Sequence, residues 1–342
     1  MHKGIAVAEQ GSVGDGRMKG LRISVAMCTY NGAGFLLEQL ESIASQTRLP
    51  DELVICDDAS TDASVGIIRA FSRNAGFAVS LEVNATNLGS TKNFEKAIGL
   101  CHGEIIVLAD QDDIWLPQKL NCIAKVFECN DNIGAVFSDA ELIDGDSRPL
   151  GTTLWNTFLF NSRELKKFSA GQGIKVLLKH SLVTGATMAF RSKFRGLVLP
   201  IPSNHVHDSW IALLVASASQ LAPIHTPLVR YRKHAAQQIG PRYTGSLRQT
   251  IDVSKGVARD YYLGEAERFK DVFERLRDRC VTFPPHRFAL SLIQQKIRHR
   301  KARGSFPRSR LLRLPALFWE IATFRYWRYS NGLGSVAKDL LV

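Results

Sequence analysis

A hydrophobic stretch long enough to cross a bilayer is missing from this chain of 342 residues. A spanning helix needs about 20 consecutive apolar residues, and the best candidate, 311–327, is interrupted by Arg313, Pro315, Glu320 and Arg325. The glycine-rich segment 1–20 has no apolar core of the signal-peptide kind, so the expectation there is a loose tail rather than a secretion signal. Cysteine is scarce. The six residues (Cys28, Cys56, Cys101, Cys122, Cys129 and Cys280) form no CxxC pair and no zinc-like spacing, and several sit in apolar runs where cysteine acts as a small hydrophobe. That pattern argues against a disulfide framework and fits a reducing compartment. No internal repeat is visible. These absences point to a cytoplasmic globular protein whose 45% hydrophobic residues can build a sizeable core.

Charge is present in excess of one sign. The chain has 44 Lys+Arg against 32 Asp+Glu, a net +12. From Gly245 onward there are 20 Lys/Arg against 9 Asp/Glu, so the C-terminal part holds nearly all of the surplus. Such an excess implies an anionic partner: nucleotide phosphates, nucleic acid or an acidic membrane surface. Because it lies away from the acidic clusters described next, it reads as a docking surface rather than a substrate pocket.

From Arg22 to Ser138 short apolar runs alternate with helical patterns. RISVAMC, ELVICDD, FAVSLEV, EIIVLAD and GAVFSD read as strands. Between them Leu36, Leu40 and Ile43, then Val65, Ile68 and Phe71, recur at helical spacing. Beyond Ser138 the pattern loosens, with GATMAFR (185–191) and PLVRYR (227–232) reading as further strands and HDSWIALLVASAS (207–219) as a helix. Strands alternating with helices predict an α/β fold with a mostly parallel central sheet covered on both faces. Its ligands belong at the carboxyl ends of the strands. Three polar groups sit there: Thr29-Tyr30-Asn31, Asp57-Asp58, and Asp110 through Asp113. From Thr244 onward the pattern is helical and basic. The expected organisation is a tail (1–20), a catalytic-type α/β domain (21–243) and a helical basic extension (244–342).

Three carboxylates within Asp110-Gln111-Asp112-Asp113 repel one another unless protons or a cation intervene. Mg²⁺ or Mn²⁺, hard ions with oxygen ligands, would relieve that repulsion and leave positions open for phosphates. The competing reading is that Asp112 or Asp113 caps the following helix. Asp57-Asp58 offers acceptors for a base N–H, but Thr61 and Asp62 look like caps. Asp208, opening a helix in His207-Asp208-Ser209-Trp210, is either a dipole partner of that helix or a general base for an attacking hydroxyl. His234 ends the basic run Tyr231-Arg232-Lys233-His234; beside a carboxylate-bound cation an imidazole is a common ligand.

Taken in order, ISVAMCTYNG, Asp57-Asp58-Ala-Ser-Thr-Asp62, NATNLGSTKNFEKAI and ADQDDIWLPQKL resemble the motifs of the inverting family 2 glycosyltransferases of the GT-A fold. The resemblance covers about Leu21 to Gly240. It implies a nucleotide-diphosphate sugar donor, a divalent cation and a saccharide or lipid-linked saccharide acceptor. Carried over to this sequence, it implies that Thr29, Tyr30, Asn31, Asp57, Asp58, Asn87, Lys92, Asp110 and Trp210 lie about the substrate. Asp112 and His234 would serve the metal, and Asp208 would be the catalytic base. Two departures stand out: the base motif reads His207-Asp208, and Cys28 precedes the Thr-Tyr pair. The wording DQDDIW, HDxW and YRxH is similar to the subgroup that adds rhamnose to bacterial surface polysaccharide, which implies dTDP-rhamnose as donor. A nucleotidyltransferase fits less well, because no Lys or Arg follows the first strand until Arg48. The remaining alternative is a binding protein that uses the basic C-terminal part on nucleic acid or on the inner face of the cell membrane. Of these two, a peripheral contact with anionic lipid is expected and a specific nucleic acid is not.

Overall fold

The structure is a computed structural model in which residues 20–234, 259–307 and 309–341 are described. Residues 1–19, nearly all of the expected tail, and 244–258, the start of the expected extension, lie outside them.

The chain opens with β1 (Ile23–Thr29), α1 (Ala33–Ala44), β2 (Glu52–Asp57), α2 (Ser64–Ser72), β3 (Ala78–Val83), α3 (Ser90–Leu100) and β4 (Ile105–Ala109). Strands β1 to β4 pair in parallel, as the alternating pattern requires. Their near-continuous apolar runs have a direct cause: both faces are covered. In β1, Ile23, Val25 and Met27 pack with Leu36, Leu40 and Ile43 of α1 on one face. Ala26 and Cys28 pack with Phe94, Ala97 and Ile98 of α3 on the other.

The second half mixes directions. It comprises β5 (Ile114–Trp115), α4 (Lys119–Cys129), β6 (Ile133–Ile143), β7 (Pro149–Thr153), α5 (Leu154–Thr157), α6 (Ser162–Ser169), α7 (Gly173–Leu177), β8 (Met188–Arg191), α8 (Arg195–Val198), α9 (His207–Ala218) and β9 (Gln220–Arg232). The sheet runs β3-β2-β1-β4-β8-β6-β9-β5, with β7 paired to β6. Strand β8 is antiparallel to both β4 and β6, while β6 and β9 are parallel. The expected α/β architecture stands, with its parallel part confined to β1–β4 and the β6–β9 pair. Beyond Ser138, where the sequence pattern loosens, residues up to 184 hold the end of β6, one short strand and three helices of 4, 8 and 5 residues, too short to display a period.

Beyond the undescribed segment come α10 (Arg259–Asp278), α11 (Ala289–Gly304), α12 (Arg310–Ala322), α13 (Arg325–Tyr329) and α14 (Leu333–Leu341). Helices α10 and α11 are not a separate body. Their Val272, Leu276 and Ile293 belong to the same core as Trp210, Ile211 and Leu214 of α9. That is why α9 is apolar around its whole circumference. Helices α12–α14 close over a small cluster of Leu317, Tyr326 and Val336.

Several basic residues expected at a docking surface are instead interior. Arg303 makes a two-pronged pair with Asp339 at 2.6 and 2.7 Å and donates to Tyr262 Oη at 2.6 Å. His299 contacts Glu320 at 2.6 Å and Ser330 at 2.9 Å. Arg300 and Arg313 are buried as well. Buried charges persist only when paired and hydrogen-bonded, and each of these arginines finds its partner far along the chain.

Candidate active site

The loops that leave β1, β2 and β4 meet at one end of the sheet around a cavity of about 660 Å³. Of the twelve residues singled out in the sequence, nine line it: Thr29, Tyr30, Asn31, Asp58, Asn87, Asp110, Asp112, Asp208 and His234. Asp57, Lys92 and Trp210 do not, each for a visible reason. Asp57 is fully buried. Its carboxylate accepts from Thr29 Oγ1 at 2.7 Å, Ser60 N at 2.8 Å and Ser60 Oγ at 2.6 Å, which fastens β1 to the loop after β2. Lys92 turns away and donates to Ile201 O at 2.6 Å and Glu95 at 2.8 Å. Trp210 is buried in the core, its indole N–H donating to Val198 O at 2.8 Å.

The rim around Tyr30 is held by groups that the sequence did not flag. The Gln111 side chain accepts from Tyr30 N at 2.8 Å and donates back to Tyr30 O at 3.0 Å. Space for that amide exists because residue 32 is glycine: a Cβ there would lie 2.2 Å from Gln111 Oε1. Asn31 adopts a left-handed φ of 46°, which asparagine tolerates, and accepts from Thr61 N at 2.9 Å. Tyr30 itself stays 41% exposed, leaving its ring available at the mouth. Across the cavity Asp58 accepts from Leu88 N at 2.7 Å and Gly89 N at 2.8 Å, so it shapes the Asn87 loop.

The acidic cluster resolves into three different environments. Asp110 faces the cavity, and burial raises its pKa to about 7; the charges of Asp112 and Asp208 add to the rise and Lys119 opposes it. Asp112 Oδ2 lies 2.9 Å from His234 Nε2. Asp113 is buried and accepts from Arg232 N at 3.0 Å, fixing the end of β9; burial and its two acidic neighbours push its pKa well up. The capping expectation is therefore corrected. Helix α4 begins at Lys119 with Gln118 as its cap and no side-chain capping bond, so neither Asp112 nor Asp113 caps it. The buried Lys119 side chain donates to Ala186 O at 2.7 Å and lies 3.5 Å from the Trp115 ring centroid; burial pushes its pKa well below the usual lysine range, against the charges of Asp113 and Asp110.

Arg232 fastens the far side. It donates to Asp112 O at 2.7 Å and to Glu38 and Ser147 Oγ at 2.5 and 2.8 Å, and it stacks over Phe35. Phe35 in turn meets the His234 ring at a centroid distance of 4.8 Å. His234 is thus oriented by an aromatic face and a carboxylate.

Asp208 sits in the first turn of α9. One carboxylate oxygen accepts from Gly185 N at 3.0 Å and the other from Ser209 N and Oγ. His207 is buried, stacked on Phe94 at 3.9 Å, and among the described residues neither ring nitrogen has a hydrogen-bond partner; burial lowers its pKa, against the Asp208 charge. The loop that delivers this pair is pinned by the C-terminal helices. Arg275 of α10 donates to Leu197 O at 3.0 Å and Pro200 O at 2.8 Å, and Asp271 contacts His205 at 3.0 Å. Nothing in the sequence of α10 marks those residues; only their spatial partners do.

Among the described residues no group of three or more His, Cys, Asp or Glu side chains could hold a metal ion by itself. Asp112 and His234 supply two adjacent donors of suitable chemistry, and the Asp110 and Asp208 carboxyl groups line the same cavity. That set fits an ion such as Mg²⁺ or Mn²⁺, which keeps several positions for water and phosphate oxygens.

Residues 24–195, just over half of the chain, match the family model for Glycosyl transferase family 2. An uncharacterized glycosyltransferase of Nostoc sp. is 32% identical over 130 residues, covering 38% of this chain and 40% of that protein. The putative glycosyltransferase EpsE of Bacillus subtilis is 34% identical over 101 residues, covering 30% of this chain and 36% of that protein. The chain thus spans well under two thirds of these relatives' lengths. Among solved structures, S. aureus TarS 1–349 in complex with UDP-GlcNAc matches with a TM-score of 0.55 at 16% identity, over 87% of this chain and 80% of that one. At that identity the likeness bears on the fold alone. Asp208 and His234 fall beyond the matched residues, but the match runs from β1 through β8 and so takes in the strand ends that build the cavity. By that match the chain belongs to glycosyl transferase family 2.

Proposed function

We propose that this chain is an inverting glycosyltransferase that moves a sugar from a nucleotide-diphosphate donor to a hydroxyl of a saccharide or lipid-linked saccharide. The observation that carries the reading is the meeting of Asp110 and Asp112, from the loop after β4, with Asp208, from the first turn of α9, at one cavity with Tyr30 at its mouth. In this reading Tyr30, Thr29, Asn31, Asp58 and Asn87 receive the nucleoside, with the Tyr30 ring as a stacking surface. Asp110 faces the ribose side. Asp112 and His234 would hold a divalent cation, which when bound supplies Lewis-acid stabilisation of the departing diphosphate. Asp208 takes the proton from the acceptor hydroxyl as its oxygen bonds to the anomeric carbon. The bond from that carbon to the diphosphate oxygen breaks on the opposite face, and its electron pair leaves with the diphosphate. The Gly185 and Ser209 N–H groups keep the Asp208 carboxylate aimed during that step.

The wording of the DQDDIW, HDxW and YRxH motifs favours dTDP-rhamnose among donors. A panel of nucleotide sugars with Mn²⁺, read first by thermal shift and then by product formation, tests the reading. Stabilisation and turnover with dTDP-rhamnose support it; stabilisation by another donor keeps the transferase and discards the rhamnose. Asp208→Asn is expected to lower turnover by about 10²–10⁴-fold with donor binding retained, the usual worth of a general base. Undiminished turnover in that variant, or full activity in excess chelator, would remove the base or the cation respectively.

A further inference from the structure

Helix α12 (Arg310–Ala322) is built inside out. A helix on a water-soluble protein turns its apolar stripe inward and its charges outward. Here the inward residues are Arg313, Leu317 and Glu320. Arg313 donates to the Pro307 and Asp339 carbonyls, and Glu320 pairs with His299 at 2.6 Å and Arg325 at 2.7 Å. The outward residues are Leu311, Leu312, Phe318 and Trp319, exposed at 79, 70, 70 and 63%. Phe324 and Trp327 continue the apolar surface into the next turn at 61 and 41%. A contiguous apolar face of this breadth marks an interaction site rather than scattered surface residues.

Charge identifies the occupant. Between Ser309 and Leu341 the acidic residues are Glu320 and Asp339, and both are buried in internal ion pairs. The exposed charged side chains of that segment are Arg310 and Arg328, both positive. An apolar face with Trp and Phe, edged by arginines and without an exposed Asp or Glu among the described residues of that segment, complements an anionic lipid surface, which offers hydrocarbon below a layer of negative headgroups. Thirteen residues span about 20 Å at 1.5 Å each, too short to cross the hydrocarbon core but suited to lying along its boundary. No helix among the described residues is long and apolar enough to cross.

We propose that α12 and the Phe324–Trp327 turn dock this protein on an anionic phospholipid bilayer, with Phe318 and Trp319 entering the headgroup boundary and Arg310 and Arg328 contacting phosphates. The face carries none of the residues of the cavity, so docking and transfer are separable properties. Pelleting of the full chain with vesicles of phosphatidylcholine, with and without phosphatidylglycerol, tests this. Binding is expected with the anionic vesicles, falling with added salt and by about fivefold for each of Arg310→Gln and Arg328→Gln on electrostatic grounds. Phe318→Glu with Trp319→Glu is expected to abolish binding while the melting temperature and donor-induced thermal shift stay unchanged, because both side chains face solvent. Three results would overturn the proposal. One is no pelleting with anionic vesicles, and another is pelleting indifferent to the double substitution. The third is self-association in sedimentation velocity that the same substitution removes, which would make the face a contact between copies of the chain.

Discussion

Gly32 and Gln111 form a pair whose coupling can be worked out before measurement. Replacing Gly32 by Ala places a methyl 2.2 Å from Gln111 Oε1 and 2.3 Å from its Cδ. The obstacle is the far end of a flexible side chain, so the backbone need not move; Gln111 swings away. The cost is then the two hydrogen bonds that tie its amide to Tyr30 N and O. At about 0.5–1.5 kcal/mol each, they come to about 1–3 kcal/mol, nearer the lower end because water can replace them at this exposed rim. Gly32 has φ −105°, which alanine adopts freely, so no backbone strain is added. Gln111→Ala loses the same two bonds. Gly32→Ala on top of Gln111→Ala therefore costs close to nothing, and the coupling energy should equal the single-mutant cost of Gly32→Ala. Guanidinium unfolding of the four proteins supplies the stability cycle. Donor-induced thermal shift supplies a second cycle, in which loosening Tyr30 weakens binding by roughly tenfold per 1.4 kcal/mol expressed there. Additive single-mutant costs, or a Gly32→Ala protein that binds donor normally, would refute the account of Tyr30 as a clamped platform.

Other substitutions separate the remaining elements. His234→Ala should abolish the effect of Mn²⁺ on donor binding while leaving the unfolding free energy of the metal-free protein within about 1 kcal/mol of wild type, read by calorimetry with and without Mn²⁺. Arg275→Ala removes the two bonds that pin the Leu197–Pro200 loop; kcat is expected to fall more than donor affinity does, since the loop delivers Asp208 and not Tyr30. Arg303→Met leaves Asp339 buried without its guanidinium and should cost about 3–5 kcal/mol in chemical unfolding, most of it recovered by adding Asp339→Leu. Burial lowers the pKa of His299 from its ordinary 6.5 to about 4, against the Glu320 contact. The unfolded chain then binds more protons than the folded one between those values, so His299 contributes stability above about pH 6.5 that is lost as pH falls toward 4. Unfolding midpoints of wild type and His299→Gln across that window check the sign; identical slopes would remove His299 as the cause.

The residues that carried most of the reading are local ones. An apolar run followed at once by Tyr30-Asn31, Asp58 or Asp110-Gln111-Asp112 announces both a strand and what stands at its end, because strand direction puts those ends on one edge. Asp208 and His234 were legible for the same reason, as polar residues bounding strongly patterned elements. Three of the residues singled out do not line the cavity, and the ground is different. Asp57 and Asp58 are adjacent and chemically identical, yet one is consumed by Thr29 and Ser60 while the other reaches the cavity. Lys92 follows a motif, but α3 turns it toward Ile201. Trp210, two residues beyond Asp208, faces the core.

By itself the sequence determined the α/β alternation, the polar strand ends and the basic surplus of the last hundred residues, since each depends on neighbours within a few positions. The tertiary structure alone decided which charges meet. Asp113 anchors a strand 119 residues away, Gln111 clamps a tyrosine 81 residues away, and Arg303 finds Asp339 across 36. Whether an arginine is a docking group or part of a core depends on what surrounds it after folding, because desolvation and pairing energies are set by distance in space and not along the chain. Hence the basic surplus divided: Lys296, Arg300, Arg303 and Arg313 are buried among the C-terminal helices, while others are exposed, Arg310 and Arg328 among them beside an apolar face that only the folded α12 reveals.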